Sequence, residues 1–439
     1  MLVNFSIQNF GSIKDRQTLS FEADKLKCLE EYYIIETNGL RLLKLGLIYG
    51  ANASGKTTIL KALDFLRTLV VKPKMQKTET FDFEPFLFDD TTSQQNTVFS
   101  IEFIQNGVRY LYEVELNKEA ITKEELYSYN PRKSTVFKRT TDLQIELAKI
   151  EFGNKIKVSK SAKEALESNT LWNNTTLGGF SKTNINIEEL LDASNWFRHY
   201  LETLINPQSN IPKQLKERLD RNQNIGALIQ ILKKADFNIS DILEKEETFE
   251  ISNIPDFLEN HERFYKRKDH KDREFQVIAN SRLLTKIVEF EHTVNNKQYT
   301  LAFDMESQGT QRYYELARVL YMLVKDSVLL PIDELESSLH PDLFTHFLLS
   351  FLTNSKKSQI IATTHNREVL GNRDIFRNDA IWITDKSNKS CATELYSLAD
   401  FDTSVIRDTS NIFNAYKLGK LGGIPNLGDY YIDIERNEK

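Results

Sequence analysis

The segment Gly50-Ala-Asn-Ala-Ser-Gly-Lys-Thr57 sets two glycines, a lysine and a threonine in the spacing G-x-x-x-x-G-K-[ST]. Residues of these types in this order bind phosphate. The glycines let the backbone curl so that successive N–H groups face a phosphate, and a helix starting there adds its positive dipole end. Lys56 is placed to bridge β- and γ-phosphates, and the Thr57 hydroxyl to complete a Mg²⁺ shell. Gly50, Asn52, Ala53, Ser54, Gly55, Lys56 and Thr57, with Thr58 next in line, are therefore candidate contacts to a nucleoside triphosphate.

Three later segments supply the chemistry such a loop needs. Ser327-Val-Leu-Leu-Pro-Ile-Asp-Glu334 is an apolar strand ending in two acids. Asp333 at its carboxyl end can hold Mg²⁺ through water, and Glu334 can polarise the attacking water. Pro331 lacks an N–H, so a strand lying centrally in a sheet would need a bulge or shifted register there. Thr363-Thr-His365 follows the apolar Gln359-Ile-Ile-Ala362, and one helix and one strand fit between Asp333 and His365. That spacing lets His365 emerge beside the acidic strand and donate to the γ-phosphate. Glu306-Ser-Gln-Gly-Thr-Gln-Arg312 opens a helix carrying Leu316, Leu320, Leu323 and Val324. Ser307 and Gly309 there present a hydroxyl and bare N–H groups, a second anion-binding device; the simpler reading is an N-capped helix. One chain needs one phosphate cradle per nucleotide, so a second implies capping of a nucleotide held by another copy, with nucleotide-dependent dimerisation.

The elements that must position these groups are legible in the apolar periodicity. Val3, Phe5, Ile7 and then Leu19, Phe21 alternate as half-buried strands turning at Asn9-Phe-Gly-Ser12. Leu45-Gly-Leu-Ile-Tyr49 reads as a buried strand, and Ile59, Leu60, Leu63, Leu66 and Val70 as a helix after the loop. Val98–Phe103 and Tyr110–Leu116 flank Gln105-Asn-Gly107, a hairpin cue. From about 160 to 275 the pattern is polar and helical, clearest at Glu188–Ala193 and Ile225–Lys234 and broken near Pro207 and Pro212, without sustained heptads. Beyond 281 the α/β texture returns: strands flanking Asn295-Asn296, a helix after Gly309, a strand at 328–332, a helix after Pro341 and a strand at 359–363. The expected organisation is an N-terminal lobe over 1–155, a helical insertion over 156–280 and a C-terminal lobe over 281–439.

Composition bounds the rest. With 439 residues, 27% charged and 40% hydrophobic, the chain has the balance of a globular protein with a large core. No run long enough to span a membrane and no signal peptide at MLVNFSIQNF are seen, so the cytoplasm is the expected address. Cys28 and Cys391 form no framework and no zinc spacing. The formal net charge of −6 does not draw the chain to nucleic acid, so any such binding is local. The candidate is the basic, aromatic run 263–273, though a solvated loop or helix face is the favoured reading of it, because two aspartates dilute the run and no base-reading motif accompanies it.

Taken in order, the Walker A loop, the Ser-Gln-Gly signature, the Asp-Glu Walker B strand, the Ser-Leu-His-Pro turn and the Thr-His switch resemble the SMC/RecF-like branch of ABC ATPases. Ile7-Gln-Asn-Phe-Gly-Ser-Ile-Lys-Asp15, Glu334-Leu-Glu-Ser-Ser-Leu-His-Pro341 and Phe413-Asn-Ala-Tyr-Lys-Leu-Gly-Lys-Leu-Gly-Gly-Ile-Pro-Asn426 look like the stand-alone ATPases of bacterial anti-phage loci, the AbiL/RloA type and the similar ATPase of the PARIS system. The resemblance covers both lobes but not the helical insertion. It implies an α/β P-loop NTPase fold of the ABC-ATPase type, a mixed sheet with an antiparallel N-terminal part and an inserted helical domain. It further implies ATP and Mg²⁺ as cofactors, hydrolysis to ADP and phosphate, a homodimer or larger oligomer, a separate toxic effector such as a nuclease, and a phage-encoded trigger. Many relatives carry an arginine near the nucleotide where Gly11 stands, so that contact is missing or replaced. Gln94 and Gln95 are the candidates for the Q-loop glutamine. Only about a hundred residues follow Glu334, so no appended Toprim nuclease of the overgrown-lysogenization type is expected. The competing reading is an SMC/RecF-like repair or chromosome ATPase that binds DNA itself; an autonomous nuclease finds no metal-ligand constellation outside the ATP site.

Overall fold

Strand signals that follow one another in sequence pair with one another in space. In the computed structural model, which describes all residues except 208–210, 236, 251–274, 280–281, 373–374, 402–411 and 426–439, Leu2–Gln8 pairs antiparallel with Gln17–Ser20 on one side and Thr97–Gln105 on the other. From Thr97–Gln105 successive hairpins add Val108–Leu116, Ile121–Tyr129, Lys133–Asp142 and Leu147–Phe152, completing a seven-stranded sheet. The first hairpin closes through Asn106 and Gly107, both at positive φ (49° and 76°), as a two-residue turn with twist-matched geometry requires. The basic run 263–273 and Asn426 lie outside the described residues.

The second sheet is assembled from distant segments. Its order is Leu329–Ile332, Gln359–Thr363, Leu45–Gly50, Ile381–Lys386, Thr393–Ser397, the first four parallel and the last antiparallel. Leu45–Gly50 lies in the middle and every residue of it is buried, matching its continuous apolar run. Leu329–Ile332 is the edge strand, and its register with Gln359–Thr363 runs without a break from Leu329↔Gln359 to Ile332↔Ala362. The bulge or shift expected at Pro331 is therefore absent, because a missing N–H is tolerated at a sheet edge.

The described chain divides into two compact units, one formed by Met1–Leu204, Val328–Glu334 and Gln359–Lys439, the other by Ile205–Ser327 and Leu335–Ser358. This differs from lobe boundaries drawn at 155 and 280. Within the first unit, helix Glu188–Asn195 and the Trp196–Tyr200 turn pack on the hairpin sheet: Trp196 stacks on Phe103 at 4.5 Å, and Tyr110 Oη donates to Asp192 at 2.9 Å. The region 156–280 is also not helical throughout. After Lys213–Arg221 and Ile225–Lys234 come strands Asp241–Glu250 and Phe275–Ala279, both paired with Arg282–Val294. The Glu- and Lys-rich sequence of 241–250 has helical propensity, and pairing with a long partner strand overrides it. The second unit also holds Lys297–Ala302, turned through Asn295 and Asn296 at φ 51° and 58°, and helices Gln308–Lys325 and Pro341–Asn354.

The first unit buries two opposite charges on adjacent strands. Glu124 and Arg139 face each other in register, both 0% exposed. Tyr112 Oη (2.7 Å) and the Thr176 N–H (2.6 Å) donate to Glu124, while Arg139 donates to the carbonyls of Ile121 (2.8 Å) and Trp172 (3.0 Å). Removing one partner strands the other charge in a dry interior. Arg139→Met is expected to lower unfolding free energy by about 3–5 kcal/mol, and the double variant Glu124→Leu/Arg139→Met by clearly less; chemical denaturation checks both.

Candidate functional site

Helix Lys56–Val71 follows the central buried strand directly, so the loop sits at the carboxyl end of a parallel sheet, where open α/β folds bind ligands. Two glycines are sterically required. A Cβ on Gly50 would lie 2.2 Å from Thr384 Oγ1 and 2.4 Å from Ser54 Oγ. Gly55 is at φ +102°, and a Cβ on it would lie 2.2 Å from Thr393 Oγ1. Gly55 is also the N-cap of the helix and supplies no side-chain cap, so the first N–H groups are left for a ligand. Ala53 is at φ 61°, and Ser54 Oγ and Thr384 Oγ1 lie 2.6 Å apart. Lys56 is 6% exposed and donates to the carbonyls of Gly50 and Ala51, both at 3.0 Å, folding back over the loop it serves. Asn52 is exposed and Thr58 half-buried.

The structure brings the acidic strand to this loop. Thr57 Oγ1 donates to Asp333, 3.1 Å from Oδ1 and 3.0 Å from Oδ2, and Asp333 is 4% exposed. Glu334 follows, half-buried, at φ 46°, a left-handed conformation uncommon for a residue with a side chain. His365 is exposed, two residues beyond the strand Gln359–Thr363 that lies between the Asp333 strand and the loop strand. The glycine cradle fits phosphates, and the oxygen donors Thr57 and Asp333 suit a hard Mg²⁺ ion that takes the rest of its shell from phosphate and water. Among the described residues no group of three His, Cys, Asp or Glu side chains could hold a metal ion, and no helix is long and apolar enough to cross a membrane.

Gly11 sits against the loop helix, at φ +57° with a Cβ position 2.9 Å from Thr58 Cγ2, and Ser12 Oγ lies 3.1 Å from Thr58 Oγ1. The position is thus beside the nucleotide loop, held by a close turn in which a longer side chain would collide. Gln94 and Gln95 are both exposed, and Gln95 Nε2 donates to Thr91 Oγ1 at 3.5 Å. Sequence reasoning missed the hydroxyls that wall the loop. Thr393 Oγ1 donates to the Ser54 carbonyl (2.9 Å) and lies 2.8 Å from Ser12 Oγ, and Thr384 donates to the Tyr49 carbonyl (3.1 Å). No local signal marks them, because they arrive from strands far away in sequence.

In the second unit, Ser307 is the N-cap of Gln308–Lys325. Its hydroxyl accepts from the Thr310 N–H at 3.1 Å, and it is exposed. Gly309 is half-buried, and an added Cβ would meet only Ser338 O at 3.5 Å and Ser307 Oγ at 3.8 Å. The internal packing thus does not require glycine at this position.

A glycine-rich loop between a central parallel strand and a helix, with an acidic strand end hydrogen-bonded to its threonine, defines a P-loop ATPase domain. Residues 47–371 match the family described as "AAA domain, putative AbiEii toxin, Type IV TA system", and the chain belongs to that family. No curated protein matches it. Among solved structures it is similar to the SMC head domain from Thermotoga maritima (13% identity, 90% of this chain and 98% of that one, TM-score 0.38). It is also similar to an SMC head bound to the C-terminal winged-helix domain of ScpA (13%, 90% and 97%, TM-score 0.39) and to an Smc head with an extended coiled coil bound to the C-terminal domain of ScpA from Pyrococcus furiosus (11%, 96% and 98%, TM-score 0.37).

The cradle gives a direct expectation. Gly55→Ala should weaken binding of a fluorescent ATP analogue by about tenfold or more, the loss expected when a site's backbone donors are displaced, with the fold retained by circular dichroism.

Proposed function

We propose that the chain is an ATP-hydrolysing switch of an anti-phage abortive-infection system, of the AbiL/RloA or PARIS-ATPase kind, that controls a separate toxic effector such as a nuclease. The observation that carries the ATPase part is the hydrogen-bonded pairing of Thr57 with Asp333, with Glu334 next in the chain. In this reading Gly50 to Thr58 hold ATP, Thr57 and Asp333 hold Mg²⁺, Glu334 polarises the attacking water and His365 donates to the γ-phosphate. When bound at Thr57 and Asp333, Mg²⁺ would supply neutralisation of the charge that develops on the phosphates. The defence part is supported by the family description, which names an AAA domain, a putative AbiEii toxin and a type IV toxin–antitoxin system, and by the motif resemblance. A phage-encoded signal acts on the ATPase in the cytoplasm, and the nucleotide state sets assembly.

Assembly is attributed to Ser307 and Gly309. The first turn of Gln308–Lys325 offers N–H groups without intrahelical partners, and a glycine that its own fold does not require is explained by a phosphate approaching from a second copy.

Expression of the chain alone should be harmless and expression with its neighbouring effector gene toxic; toxicity from the chain alone overturns the partner reading. Glu334→Gln should trap ATP and a dimer or larger oligomer, seen by light scattering, whereas Lys56→Ala should lose nucleotide binding. Adding Gly309→Ala to Glu334→Gln should leave a folded chain that stays monomeric with ATP. Duplex DNA binding with a steep salt slope, lost when Arg263, Lys266 and Arg267 are neutralised, would instead favour the repair-type ATPase.

A further inference from the structure

The Thr363 side chain lies where the two acids of the site meet. It ends the strand Gln359–Thr363, with Ile332↔Ala362 in register on one side and Thr363↔Ile48 on the other, so it stands between the acidic strand and the strand that carries the loop. It is fully buried. Its Oγ1 donates to Asp333 Oδ1 at 2.5 Å and accepts from the Glu334 backbone N–H at 2.7 Å. A hydroxyl has one proton to give, so its donor role goes to the carboxylate and an acceptor lone pair to the amide. Glu334, at φ 46°, is in a conformation that persists only where its surroundings hold it.

We propose that Thr363 is a positioning residue for ATP hydrolysis, one that ties the carboxylate serving the metal to the backbone orientation of the glutamate serving the water. The inference rests on the ATPase reading above. Asp333 accepts from Thr57 through both oxygens and from Thr363 through Oδ1, so the loop, the acid and the switch strand form one connected unit. A rotation of the Asp333 carboxylate pulls on the Thr363 hydroxyl, which is the acceptor for the Glu334 amide. Glu334 thereby takes its orientation from the state of Asp333 instead of holding it independently. Valine has the shape of threonine and can make neither bond; serine can make both.

The test compares Thr363→Val, Thr363→Ser and Glu334→Gln in the full chain. It reads ATP turnover, affinity for a fluorescent ATP analogue with and without Mg²⁺, and hydrogen exchange at the Glu334 amide. Thr363→Val should lower kcat by about tenfold or more, the effect of losing a hydrogen bond to a charged group, while metal-free nucleotide affinity stays within about threefold. The same variant should need more Mg²⁺ for half-maximal binding and exchange the Glu334 amide faster. Thr363→Ser should restore turnover to within about threefold of the parent. If Thr363→Val does not fold, Thr363→Ala is scored in its place. Parental turnover, Mg²⁺ dependence and amide exchange in the hydroxyl-less variant overturn the inference. So does equal loss of metal-free affinity in the valine and serine variants, which marks a packing role. Absence of ATP turnover in the parent chain overturns the ATPase reading instead, so the two failures are distinguishable.

Discussion

A carboxylate on a residue only 4% exposed is tolerable only when its oxygens are satisfied, and in Asp333 that requirement organises the first unit. Its hydroxyl donors come from two segments far apart in sequence, Thr57 at the start of the loop helix and Thr363 at the end of the neighbouring strand. Satisfying one buried charge therefore fixes where the loop helix begins and how far the switch strand extends. It also fixes where Glu334 leaves the acidic strand. Thr384 and Thr393 brace the loop from the other side, filling the space that side chains on Gly50 and Gly55 would occupy.

What was legible in the sequence is what local chemistry encodes. Gly50–Thr57 announces itself because curling a backbone around phosphate needs glycine at fixed offsets, and the strand before and helix after it carry their own periodicities. Asn106-Gly107 and Asn295-Asn296 are similarly explicit, since two-residue turns demand positive φ. Strand order was not legible, because a parallel neighbour is chosen by packing between segments hundreds of residues apart. The same gap explains the misreadings. Pro331 occupies an edge strand, not a central one, and pairing makes Asp241–Glu250 a strand inside a stretch whose pattern is polar and helical. Thr363 stood in view within the Thr-Thr-His motif, but its bonds follow from a register that no local pattern specifies.

Ser307 illustrates a different limit. Serine before a helix is equally the sign of an N-cap and of an anion site, and the structure contains the cap, with the hydroxyl on the Thr310 N–H. The two readings are compatible, since capping uses one of the terminal N–H groups and leaves others to an incoming anion. Gly309 separates them better than the serine does: it has room for a side chain that the sequence does not use.

The two larger sheets of the first unit differ in when they can exist. The antiparallel sheet is complete once residue 152 has been made, and most of its pairings join consecutive strands. The nucleotide sheet has its middle strand at Leu45–Gly50, but the two neighbours of that strand begin only at Gln359 and Ile381, and the edge strand beyond at Leu329. On the ribosome the loop is therefore translated early and waits for its walls while most of the chain is synthesised. Pairings of such long sequence separation form slowly and leave an apolar strand uncovered meanwhile. The buried run Leu45-Gly-Leu-Ile-Tyr49, which makes a secure central strand in the finished protein, is for the nascent chain the segment most in need of protection from aggregation.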